Sequence, residues 1–308
     1  MKKALLLLSI FATVSIAGPI APLPKKVNDV NIKKALLGKK LFSETLLSAD
    51  RTVSCHSCHS FDYGGADPRT VSLGINEKHG NIQSPTVYNS RYNFKQFWNG
   101  RVNTLQEQAD GPTHNPMEMG MNALLIEKRL NRDMEYKKEF SRVYGSTAIR
   151  YEQVIDAIVE FEKALVTPDS KFDRFLRNET KLDKKETRGY LAFKQRGCIT
   201  CHNGINIGGN SFQRMGLFIP YDFNGTYPDR HSITHDEQDK NVFKVPTLRN
   251  IELTAPYFHD ASSKTLSEAI EKMSHHNLGV SLDPSEIEDI VQFLKTLTGK
   301  RPAILDRR

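Results

Sequence analysis

The chain has 308 residues, 38% hydrophobic and 26% charged, with a formal net charge of +7, which is enough chain for two modest domains with separate cores. It contains no low-complexity run and no apolar stretch beyond the N-terminus of membrane-spanning length, which sets aside the disordered and membrane-spanning classes. No lysine or arginine block is longer than a pair, so a nucleic-acid-binding role has no electrostatic basis.

In chain order, the first feature is Met1-Lys2-Lys3, an apolar run from Ala4 to Val14, and Ser15-Ile16-Ala17. A basic start, a short apolar segment and small residues before a cut form an export signal. The run falls short of the ~20 residues that span a bilayer. Cleavage after Ala17 is expected, making 1–17 a signal peptide, placing the mature chain in the periplasm and leaving no membrane span.

All four cysteines lie in two C-x-x-C-H units, Cys55-His56-Ser57-Cys58-His59 and Cys198-Ile199-Thr200-Cys201-His202. Two thiols at this spacing reach the two vinyl groups of one haem, and the adjacent histidine becomes the proximal iron ligand. A disulfide within each pair and a zinc site formed by both are the alternatives. Zinc does not require a histidine after each second cysteine, and a redox disulfide has no reason to occur twice. Two covalent c-type haems are therefore expected, held by Cys55, Cys58, His59 and by Cys198, Cys201, His202.

The long interval from Cys58 to Cys198 gives each haem its own domain. Tyr151, Val154, Ile155, Ile158, Val159, Glu162 and Leu165 follow helical spacing, and Pro168 stops the helix. The joint is expected near Thr167-Pro168-Asp169-Ser170, dividing the mature chain into 18–168 and 169–308. A second helix starts at Asp183, capped with Glu186, and runs through Tyr190, Leu191 and Lys194 into the second haem unit. Between Asn203 and Asn250 glycine, asparagine and proline predominate, a pattern of long ordered loops over a cofactor. A third helix starts at Asp283-Pro284-Ser285-Glu286, a cap, a first-turn proline and a capping carboxylate; Ile287, Ile290, Val291, Leu294 and Leu297 share one face. The fold class is mainly α: two cytochrome c-type haem domains joined by an interdomain interface, with long ordered loops.

The sixth iron ligand separates electron transfer from ligand chemistry. Seven further histidines (His79, His114, His231, His235, His259, His275, His276) and six methionines of the mature chain (Met117, Met119, Met121, Met134, Met215, Met273) are candidates, and composition does not choose among them.

A series of blocks resembles the bacterial dihaem cytochrome c peroxidases over essentially the whole mature chain. In the first half these are Ser54 to His59, His79-Gly80 with Ser84-Pro85-Thr86, Gln96 to Arg101, Gln106 to Pro112 and Met117-Glu118-Met119. In the second half they are Gly197 to His202, Val245 to Asn250, Thr254 to His259 and Phe293 to Gly299. The resemblance implies a peroxidase that reduces hydrogen peroxide with electrons from a small periplasmic cytochrome c or copper protein, working as a homodimer. It implies Met273 as sixth ligand of the high-potential second haem, and His79 as a removable ligand of the first, peroxidatic haem. Gln108 and Glu118 become the distal pair, Glu118 relaying the proton between the peroxide oxygens and Gln108 orienting the substrate. Trp98 would lie between the haems and aid electron transfer. A calcium ion would be held by backbone carbonyls of Thr254 and Pro256, with Gln83 where the family carries asparagine; a Gln amide is still an oxygen donor.

Two rival readings remain at this stage. A dihaem oxidase of the methylamine-utilisation type carries tyrosine where this chain has Met273, and a pure dihaem electron carrier has no need of Gln108 and Glu118.

Overall fold

The computed structural model describes residues 19–221 and 227–307; the signal peptide expected over 1–17 lies outside them. The architecture is mainly α, as expected. In chain order the helices are α1 (Ile32–Phe42), α2 (Cys55–Cys58), α3 (Leu105–His114), α4 (Ala123–Leu130), α5 (Met134–Tyr144) and α6 (Tyr151–Ala164), then α7 (Lys171–Leu176), α8 (Lys184–Gln195), α9 (His231–Thr234), α10 (Leu266–Leu278) and α11 (Pro284–Lys295). Two three-residue strands, β1 (Phe212–Arg214) and β2 (Val242–Lys244), pair antiparallel with Phe212 opposite Lys244.

The first core forms where α1 crosses α6. α6 buries Tyr151, Val154, Ile155, Ile158, Val159 and Glu162, the face its spacing predicts, and the chain leaves the helix at Leu165, ahead of Pro168. The crossing is close because α1 carries Gly38 there: a methyl group would sit 1.8 Å from the Ala157 carbonyl oxygen. Ile126 and Leu130 of α4 and Tyr136 and Phe140 of α5 complete the cluster, and Ile304 and Leu305 return to it from the C-terminus.

A second core forms around α8 and α11. Asp183 accepts the Glu186 N–H at 2.9 Å while Glu186 accepts the Asp183 N–H at 2.7 Å, so the capping box stands as the sequence predicts. Gly189 repeats the device of Gly38, with a methyl there falling 1.9 Å from the Asp289 carbonyl oxygen. Phe293 packs at 5.1 Å on Phe172 and 5.2 Å on Phe193, each buried ring contributing about 1.5–3 kcal/mol. The start of α11 differs from expectation. Asp283 makes no side-chain cap, and the Glu286 carboxylate is taken by a two-pronged pair with Arg196 at 2.7 and 2.9 Å, a charge-assisted fork stronger than one backbone contact.

Between the two cores runs a hydrogen-bonded seam. Asn89 and Asn250 each donate to Thr167 Oγ1 at 2.8 Å, and the Phe94 N–H donates to the Gly209 carbonyl at 2.7 Å. The Gln83 N–H reaches the His259 carbonyl at 2.9 Å, and the Lys244 N–H that of Trp98 at 2.7 Å. In the second half Arg249 and Asp173 form a fully buried ion pair at 3.0 Å. It is saturated by the Leu23 N–H on Asp173 and by the carbonyls of Ile205 and Ala21 on Arg249, which a buried pair requires. The stretch 203–250 is largely irregular, as expected, but includes the β1–β2 pair and α9.

Candidate functional site

A cavity of about 710 Å³ opens along this seam, and both C-x-x-C-H units line it. Cys55 and Cys58 lie on the single turn of α2, started where Ser57 Oγ accepts the Ser54 N–H at 3.0 Å. Cys198 and Cys201 follow α8, where Gly197 at φ 90° allows the chain to turn into the unit. All four thiols are free, and among the described residues no group of three or more His, Cys, Asp or Glu side chains is gathered for a metal ion.

His59 and His202 are half-buried in the same wall, and desolvation outweighs nearby backbone groups that favour the charged form: it lowers His59 and pushes His202 down to about 4. Both imidazoles are thus neutral, the form that binds iron. Two thiols and one neutral imidazole, present twice around one largely apolar cavity, are the donor set of two c-type haems. The residues fit the cofactor the sequence implies.

Around the first unit the wall includes Gln108 from α3, and Glu118, Met117 and Met119 from the segment after it. Asn115 Nδ2 donates to Glu118 Oε1 at 2.6 Å. Burial nevertheless raises the Glu118 carboxyl above its ordinary range, against the opposing pull of Asn115 and Arg101. Arg101 also lines the cavity, its guanidinium 3.2 Å from the centre of the Phe97 ring. His79 is exposed and outside the wall, although Gly80 and Asn81 beside it are part of it. His114 is turned to the Met121 carbonyl at 2.9 Å and to Asp110 at 3.2 Å.

Around the second unit, Leu266, Ile270 and Met273 reach the wall from α10. Met273 packs with Met215, Tyr221, Phe243, Trp98 and Phe258. Trp98 lies edge-on to His259 and Phe243, at 6.2 and 6.4 Å between ring centres, and its Nε1 donates to the Gln83 carbonyl at 2.8 Å. Gln83, Thr254 and Pro256 all line the cavity, and the Gln83 amide oxygen accepts no hydrogen bond among the described residues.

Three buried groups in the cavity were given no role from sequence, although His259 stood among the candidate ligands and Glu162 on the predicted helix face. Glu162 has its carboxyl pushed up to about 8 by burial alone; a carboxylate on the apolar face of α6 was the available signal. Lys244, a cation within the apolar run Val242 to Val245, is pushed down to about 8. His259 is buried against Phe243 at 4.1 Å and pushed down to about 4.

Residues 32–181 match the family model for di-haem cytochrome c peroxidase, and residues 186–298 that for cytochrome c. The cytochrome c551 peroxidase of Nitrosomonas europaea is 44% identical over 97% of this chain and 91% of its own length. The methylamine utilization protein MauG of Methylophilus methylotrophus is 30% identical over 88% of this chain and 84% of its own. Among solved structures, a MauG-like protein associated with microbial copper homeostasis superposes with a TM-score of 0.80 at 28% identity, covering 93% of this chain and 95% of that one.

Proposed function

The chain belongs to the dihaem cytochrome c peroxidase family, and we propose that it reduces hydrogen peroxide in the periplasm, H2O2 + 2 H+ + 2 e− → 2 H2O. The electrons come from a small c-type cytochrome or copper protein. The observation that carries this reading is that Gln108 and Glu118 line the same cavity as Cys55 and Cys58, a pair that a pure electron carrier does not need.

When bound, the haems would supply electron storage and transfer, Cys198 and Cys201 holding the one that would take electrons from the donor and Cys55 and Cys58 the one at which peroxide would be reduced. Glu118 takes the proton from one peroxide oxygen and returns it to the leaving oxygen. Asn115 fixes the carboxylate for that transfer, and burial keeps its pKa high enough for both halves of it. Gln108 orients the substrate, and Arg101 supplies positive charge beside the developing anion. His59 and His202 would each hold a haem iron, and Met273 would be a further ligand to the iron of the second haem. His79 would be a removable iron ligand of the resting oxidised protein, and its exposed place next to Gly80 and Asn81 suits the released position. Trp98, in contact with both halves, assists electron passage between the haems.

A calcium ion at Gln83, Thr254 and Pro256 accords with the unused amide oxygen of Gln83. Domains at 18–168 and 169–308 accord with the two cores except at the chain ends, where Ile20 packs into the second and Ile304 and Leu305 into the first. The assembly is a homodimer, and 1–17 is the signal peptide.

Steady-state oxidation of a reduced small cytochrome c on adding peroxide tests the reading. Two donors oxidised per peroxide is the expected result; oxidation no faster than the enzyme-free blank contradicts it.

A further inference from the structure

Lys244 ends β2 and is 7% exposed. Its side chain lines the cavity, yet among the described residues no hydrogen bond, ion pair or ring contact is made by its Nζ, and burial is the sole influence on its ammonium. The backbone fixes it firmly. Its N–H is held by the Trp98 carbonyl at 2.7 Å, and the next residue's N–H by the Ser211 carbonyl at 3.0 Å. Pro246, two residues on, provides backbone that acts on His202, so Lys244 belongs to the second haem site.

The charged groups around it are engaged elsewhere. Arg214 on β1 donates to the Gln238 carbonyl, and Arg230 pairs with Asp239 at 3.4 Å. Asp229 accepts the Asn241 N–H at 2.8 Å, and Asp260 accepts the Tyr221 hydroxyl at 2.5 Å. A buried ammonium with no anion is strongly disfavoured, and a haem brings two carboxylates. We propose that Lys244 is the counter-ion of a carboxylate of the haem held by Cys198 and Cys201, beside Trp98. A fixed cation there favours the reduced, more negative state of that haem and so raises its potential.

The inference rests on the dihaem reading above, and the mass of the wild-type protein separates the two. A mass lacking the second haem overturns both, whereas a two-haem mass with an unmoved potential overturns the pairing alone. The test is redox titration of the holoprotein at pH 7 with K244Q and K244R. In K244Q the ferrous-to-ferric ratio of the second haem at a fixed potential falls at least tenfold, a drop of about 59 mV or more for one electron. In K244R, and at the first haem in both variants, the ratio stays within threefold. A K244Q ratio within threefold at the second haem, or a shift confined to the first, overturns the pairing. Should K244Q not accumulate with two haems, the wild-type protein decides. A paired ammonium stays charged through pH 8, so the second potential shows no step there, whereas a step centred near pH 8 marks an unpaired lysine and overturns the proposal.

Discussion

Replacing Glu118 by Gln isolates the proton relay. The amide keeps the shape and still accepts from Asn115 Nδ2, which lies 2.6 Å from Oε1, so haem content and both haem spectra should be unchanged. What disappears is the titratable proton. Positioned acid–base groups contribute about 10²- to 10⁴-fold in rate, or roughly 3 to 5 kcal/mol of barrier, and turnover with a reduced cytochrome donor should fall by that factor. The pH profile carries a second signature. The relay starts from the carboxylate, so wild-type turnover should fall as pH drops through the Glu118 pKa, which burial places above 4.5; Glu118→Gln should lose that limb. His114 is no substitute, because it is turned to Met121 and Asp110. A variant that reduces peroxide within a few-fold of wild type, with the acid limb intact, would refute the assignment of Glu118.

Met273→His should lower the potential of the second haem, since imidazole in place of thioether favours the ferric state; redox titration showing both potentials unmoved would make Met273 a packing residue. Glu162 carries a folded-state pKa of about 8 against an ordinary 4.5, so its own contribution to stability declines as pH rises from 4.5 to 8. Each pH unit is worth about 1.4 kcal/mol; in urea unfolding, wild type should therefore lose stability relative to Glu162→Gln progressively across that window, and a difference between the two that stays constant with pH would contradict it. Gly189→Ala forces a methyl to within 1.9 Å of the Asp289 carbonyl and should cost about 1–3 kcal/mol by overpacking, despite the better helix propensity of alanine; equal or greater stability in urea would refute the close crossing of α8 and α11.

What was legible in sequence was local. The haem units are legible because thiol spacing and the adjacent histidine encode attachment within five residues, and α6 and α8 because periodicity and capping are short-range. The start of α11 was misread because Glu286 answers to Arg196, ninety positions away, which no local pattern reports. β1 and β2 are too short for alternation to register, and their pairing across 212–244 is tertiary. The same limit hid the surroundings of Lys244 and Glu162: each stands in an apolar pattern in the sequence, but only the fold shows that, among the described residues, neither has an opposite charge beside it. The wall itself was legible only through resemblance, since Gln108, Glu118, Trp98 and Met273 come from separate segments that only the fold brings together, and the same resemblance does not tell that His79 is exposed here.

On the proposed function, this chain itself delivers two electrons to peroxide. Mixing the fully reduced dihaem protein anaerobically with one equivalent of hydrogen peroxide, with no external donor, tests this directly by following both haem spectra. Oxidation of both haems by the single equivalent is the predicted result. Haems that remain reduced, or one that oxidises while the other does not, would contradict it.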